Sequence, residues 1–130
     1  MIVVDASALV AALLPGPEQE ELAPRLISRE VALHAPHHLD LEVASALRRA
    51  SAKGELALEA ARAALDDLRQ LRMVRHPHAP FLPRIWELRG NLTPYDAAYV
   101  ALAEILDAPL ITRDARLARA AGVRARIELV

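Results

Sequence analysis

Apolar residues recur along the chain in two rhythms. Short unbroken apolar runs bounded by breakers occur at Ile2 to Val4, Val31 to Ala35, Met73 to Arg75, Leu110 to Thr112 and Ile127 to Val130, and each predicts a buried strand. Between them the spacing turns helical, over Ser7 to Leu14, Pro17 to Arg29, His38 to Lys53, Leu56 to Leu71, Pro83 to Arg89, Pro94 to Leu106 and Ala115 to Ala121. Gly54 and Gly122 stand where helix C-caps belong, Pro36, Pro77 and Pro109 mark element edges, and Thr93-Pro94 offers an N-cap followed by proline at the first helical position. Strands alternating with helices imply an α/β fold, a parallel sheet covered on both faces. The consecutive Ile2, Val3 and Val4 suit a central strand buried on both sides.

The chain has 130 residues, the size of one domain, and no repeat or linker divides residues 1–130. Its 54% hydrophobic and 25% charged residues, with 16 basic against 17 acidic, place it among globular proteins rather than basic nucleic-acid coats or disordered tails. Without cysteine there is no disulfide framework, thiolate metal site or cysteine nucleophile. No apolar run is long enough to span a bilayer, and the N-terminus lacks the basic region of a secretory signal, so a cytoplasmic protein with no membrane role is the expectation. Charge is unevenly spread: Arg113, Arg116, Arg119, Arg124 and Arg126 are accompanied in their segment by the single acid Asp114. Such a patch can hold phosphates or form a solvated helix face.

In open α/β sheets, ligands gather at the carboxyl ends of the strands. Asp5 follows the first strand directly, and Asp114 repeats the arrangement after Leu110 to Thr112. Either acid could equally cap the helix that follows it. Asp96 lies three residues after Thr93 in a pattern close to a capping box, but the helix it opens is nearly all small or apolar. An unpaired carboxylate buried there is costly, which favours a paired or metal-bound role. Glu42 flanks the stripe of Leu39, Val43, Ala46 and Leu47, while Asp40 points elsewhere; taken alone, Glu42 also reads as a surface helix residue.

Other constellations are weaker. Asp66 and Asp67 read as a solvated face, and Glu18, Glu20 and Glu21 favour the start of a helix dipole. Five histidines, including His37-His38 and His76 with His78, lack the organised spacing of a zinc site. The single lysine, Lys53, has no phosphate-cradling loop around it, and Ser7 and Ser45 lack a serine-hydrolase elbow.

Four stretches together resemble the PIN-domain nucleases, and within them the VapC-type toxins of toxin–antitoxin pairs. They are Ile2-Val3-Val4-Asp5-Ala6-Ser7-Ala8-Leu9, Leu41-Glu42-Val43-Ala44-Ser45-Ala46-Leu47-Arg48-Arg49, Leu92-Thr93-Pro94-Tyr95-Asp96-Ala97-Ala98-Tyr99-Val100-Ala101-Leu102-Ala103, and Pro109-Leu110-Ile111-Thr112-Arg113-Asp114-Ala115-Arg116-Leu117. The resemblance implies a three-layer α/β/α sandwich around a parallel sheet of about five strands. It assigns Asp5, Glu42, Asp96 and Asp114 to a Mg²⁺- or Mn²⁺-binding catalytic cluster that cleaves RNA, with Ser7 and Thr112 as supporting hydroxyls. Arg113 and Arg116 could hold flanking phosphates. Some relatives carry a further acid soon after the last; here Ala115, Arg116 and Leu117 follow, leaving a second metal site incomplete. The resemblance also implies a cognate antitoxin and a homodimer. With aromatics at 3%, base stacking would fall mainly to Tyr95, Tyr99 and Trp86. Two other readings start from the same residues: a catalytically inactive PIN-like binding module, and a phosphoryl-transfer domain with Asp5 as nucleophile.

Overall fold

The computed structural model describes residues 1–130. The five strands are β1 (Ile2–Val4), β2 (Leu33–Pro36), β3 (Met73–His76), β4 (Leu110–Thr112) and β5 (Ile127–Leu129), all parallel, in the order β3-β2-β1-β4-β5. The helices are α1 (Ala6–Leu13), α2 (Pro17–Leu26), α3 (Leu39–Ala52), α4 (Leu58–Gln70), α5 (Leu82–Glu87), α6 (Pro94–Leu106) and a single turn, α7 (Ala115–Ala118). Val3 and Val4, whose side chains point to opposite faces of β1, are both fully buried, so helices cover the sheet on both sides. Helix α6 lies against β1, β2 and β4 with α5 on its flank, while α1 packs on α2, α3 and β4.

Each expected element exists, with several boundaries moved for identifiable reasons. Helix α2 stops at Leu26 because the Ser28 hydroxyl accepts from the Glu30 amide and its carbonyl from Val31, a turn that delays β2 to Leu33. The last helix was expected to reach Ala121, but α7 ends at Ala118. Beyond it the chain turns at Gly122, φ +83°, and its carbonyls at Ala121 and Gly122 accept from Asn91 and Arg84. A short 3₁₀ turn at Ala79–Phe81, not anticipated, leads into α5. Gly54 performs the expected capping: at φ +73° it lets its own amide reach the Ser51 carbonyl and that of Glu55 the Ala50 carbonyl, a Schellman closure of α3.

The strand order places the topological switch point between β1 and β4. At the carboxyl ends of those two strands the chain places Asp5 and Thr112.

Candidate active site

Asp5 leaves β1 in extended conformation and caps α1, its Oδ1 accepting from the Ala8 amide at 3.0 Å and the Ser7 hydroxyl at 2.7 Å. Its Oδ2 accepts a short hydrogen bond from the Thr112 hydroxyl at the end of β4. Thr112 is fully buried and also accepts from the Asp114 amide at 2.9 Å, so one hydroxyl joins the two strand ends. The capping reading of Asp5 is therefore correct as far as it goes. It does not exclude chemistry, because burial pushes this carboxyl above its usual range against the pull of Thr112, Ala8 and Ser7, and the charge of Asp96 adds to the rise.

Asp96 opens α6, its amide donating to Thr93 Oγ1 at 3.2 Å. Ala97 to Ala103 behind it are all buried, but the end itself is more open than expected: Thr93, Pro94 and Tyr95 are exposed and Asp96 is half-buried. Burial raises the Asp96 carboxyl, and Asp114 raises it further, while Thr93, Arg116 and His38 oppose. Glu42 lies one turn into α3, half-buried, and is the acceptor of the Tyr99 hydroxyl at 3.0 Å. It too is raised, first by burial and then by Asp96 and Asp5, with Tyr99 pulling it down. Burial holds all three carboxyls up, and neighbouring carboxylates add to the rise of each.

Asp114 behaves differently. It caps α7 through the Arg116 amide at 2.8 Å and pairs with the Arg116 guanidinium at 3.1 Å, which holds its carboxyl below the usual range. Arg113 donates its amide to Ser7 Oγ and stands 3.7 Å from Glu18. Both arginine side chains thus have carboxylate partners, and exposed pairs of this kind are weak.

An open groove of about 580 Å³ runs over the site, lined among others by Ser7, Glu42, Arg49, Thr93, Tyr95 and Asp96. Arg49, which the sequence did not single out, reaches it one and two turns along α3 from Ser45 and Glu42 and donates to Ser45 at 3.0 Å. Tyr99, expected as a base-stacking residue, is 1% exposed and serves Glu42 instead. Trp86 is exposed, with the Arg89 guanidinium 4.8 Å from its ring centre. Asp40 does turn away from the groove, forming a bidentate pair with Arg75 at 2.7 and 3.0 Å that ties α3 to β3.

The donor chemistry of the four acids, all hard carboxylate oxygens, fits Mg²⁺ or Mn²⁺. No group of three or more His, Asp or Glu side chains is spaced to hold an ion as they stand. An aspartyl nucleophile fits less well: both Asp5 oxygens already accept hydrogen bonds, and the only lysine, Lys53, lies at the far end of α3.

The PIN domain family model matches residues 2–123. Ribonuclease VapC1 of Mycobacterium tuberculosis is 50% identical over 129 residues, covering 98% of this chain and 96% of that protein. Ribonuclease VapC9 of the same organism is 45% identical over 130 residues, covering 100% and 98%. The crystal structure of PAE2754 from Pyrobaculum aerophilum superposes with a TM-score of 0.72 at 29% identity, covering 97% of this chain and 81% of that one. That of Mycobacterium tuberculosis VapC20, a sarcin-ricin loop cleaving toxin, shares the fold with a TM-score of 0.69 at 18% identity, covering 95% and 96%. With acids at the switch point of a five-stranded parallel sheet and near-full-length identity to these ribonucleases, the chain belongs to the PIN domain family, among its VapC members.

Proposed function

We propose that the chain is a metal-dependent endoribonuclease, the toxin of a VapBC-type pair, in which Asp5, Glu42, Asp96 and Asp114 hold Mg²⁺ or Mn²⁺. The observation that carries this reading is the gathering of Asp5, Glu42 and Asp96, each carboxyl raised first by burial, at the switch point of a chain half identical to a VapC ribonuclease. When bound, the ion would lower the proton affinity of a water and neutralise charge on the phosphate oxygens.

The chain's own residues do the positioning. Thr112 and Ser7 fix the Asp5 carboxylate between β1 and β4, and Tyr99 fixes Glu42. Arg113 and Arg116 exchange their surface carboxylate partners for phosphates flanking the cut, which orients the strand over the groove. Single-stranded or looped RNA suits an open groove better than a rigid duplex, because its backbone bends into the acids.

A cognate antitoxin covering the groove, a homodimer and a cytoplasmic setting complete the reading; no helix is long and apolar enough to cross a membrane. The test is incubation of the purified chain with structured and unstructured RNAs in Mn²⁺, Mg²⁺ or chelator, beside Asp5→Asn and Asp96→Asn. Cutting that needs the cation and both acids is expected. Intact RNA under every condition would make the chain a binding module, and full activity in both variants would place the chemistry elsewhere.

A further inference from the structure

Beside the acidic groove lies a second cavity, of about 270 Å³, which the nuclease chemistry does not use. Its walls include His38, His78, Leu82, Ile85, Tyr95 and Ala98, drawn from the start of α3, the 3₁₀ turn, α5 and α6. Tyr95 lines both this cavity and the groove, and it is the chain neighbour of Asp96. His38 links the two as well: its Nε2 donates to the Tyr95 carbonyl at 3.1 Å and lies 3.4 Å from Glu42.

On the proposed nuclease reading, the geometry points to a subsite for one unpaired nucleobase of the RNA, next to the cleaved phosphodiester and stacked on Tyr95. Size comes first: the cavity lies below the roughly 300–1,000 Å³ of sites for drug-sized ligands, which suits a single heterocycle. Lining comes second. His38 meets the Tyr95 ring edge-on at 5.8 Å, yet Tyr95 stays 63% exposed and Leu82 53%, so large apolar surface is open at the mouth. Aromatic and apolar walls with imidazoles at the rim hold a base by stacking and by hydrogen bonds to its edge. Charge comes third. A cavity adjoining Glu42 and Asp96 repels an anion but accepts a neutral planar ring, so the base can anchor the strand where the phosphate itself cannot.

The experiment uses the whole protein and short single-stranded RNA oligomers carrying 2-aminopurine at successive positions. One position should be quenched on binding, without any added metal. Tyr95→Ala should abolish that quenching and lower kcat/KM in Mn²⁺ by about 5- to 100-fold through KM, whereas Tyr95→Phe keeps both. Quenching at no position, or quenching indifferent to Tyr95→Ala, overturns the subsite. So does a Tyr95→Ala protein that stacks RNA normally but loses a cognate antitoxin, since the cavity then serves a protein partner. The binding readout stands apart from cleavage, so a wild-type protein that cuts RNA with no Tyr95-dependent position rejects the subsite alone, and one that binds but never cuts rejects the nuclease reading alone.

Discussion

The Tyr99 hydroxyl, at the buried heart of α6, donates to Glu42 Oε2 on α3 at 3.0 Å. This hydrogen bond opposes the burial that lifts the Glu42 carboxyl. Removing it in Tyr99→Phe therefore raises Glu42 further. If Glu42 must be ionised to act, the acid limb of the pH–rate profile moves to higher pH. Cleavage at low pH should fall by about 10-fold, the worth of a hydrogen bond to a charged group, and recover as pH rises. A pH profile unchanged by the substitution would remove Glu42 from the active set.

Asp5→Asn should cost roughly 10³-fold in RNA cleavage, the scale of charge stabilisation an ion supplies, while raising the melting temperature of the metal-free protein. The sign follows from burial. A folded carboxyl raised above its unfolded value binds its proton more tightly in the native state, so stability falls as pH rises through the folded value. Its charge is a burden on the folded state that asparagine lifts. Mn²⁺ at about 100 times its Kd should stabilise the native protein by ~2.7 kcal/mol, read as an upward shift in melting temperature absent from Asp5→Asn.

Thr112 is tested by a matched pair. Thr112→Val keeps the shape but removes the donor to Asp5 Oδ2 and the acceptor of the Asp114 amide. Each buried partner left unmade costs about 1–3 kcal/mol, and Asp5 rises further. Thr112→Ser restores the hydroxyl and should retain most cleavage. Equal activity in the two variants, measured at saturating Mn²⁺, would show that the hydroxyl does not matter.

At the opposite end of α6 from Asp96, Glu104 accepts from Arg84 at 2.8 and 3.0 Å and from the Arg124 amide at 2.9 Å. Burial would raise this carboxyl, but these donors win and hold it below the usual range. Its stabilisation is present above the unfolded value and lost as pH falls through the folded one. Glu104→Gln should destabilise the protein by roughly 2–3 kcal/mol at pH 7, with the difference shrinking in acid and cleavage per folded molecule unchanged. Urea melts at two pH values check it.

Much of the frame was legible because local chemistry and tertiary demand agreed. Ile2 to Val4 followed by Asp5 reads as a buried strand opening a capped helix, and the structure contains both. Local propensity misled at Ala115 to Ala121, where an alanine- and arginine-rich segment promises a longer helix than the loop held by Asn91 and Arg84 allows. It misled at Tyr99 for the opposite reason: an aromatic on an apolar helix is as easily core as platform, and only the packing of α6 against β1, β2 and β4 decides. Asp114 reads as a strand-end acid like Asp5, and Glu42 as a surface residue on its own or a site acid through the resemblance; the structure adds Arg116 on Asp114 and Tyr99, 57 positions away, on Glu42. A pair as far apart as Glu42 and Tyr99 leaves no periodic trace, whereas Asp114 and Arg116 stand two positions apart.

The switch point between β1 and β4 also fixes when the site can exist during synthesis. The strand carrying Asp5 precedes both its neighbours in the chain; β2 follows soon after, but the other edge of β1 waits for Leu110 to Thr112. A nascent chain that has not yet exposed β4 carries Asp5, Glu42 and Asp96 without Thr112 to brace Asp5 or Asp114 to complete the set. Assembly of the acids is thus deferred until β4 and Asp114 have left the ribosome, and a product broken off before β4 never acquires all four.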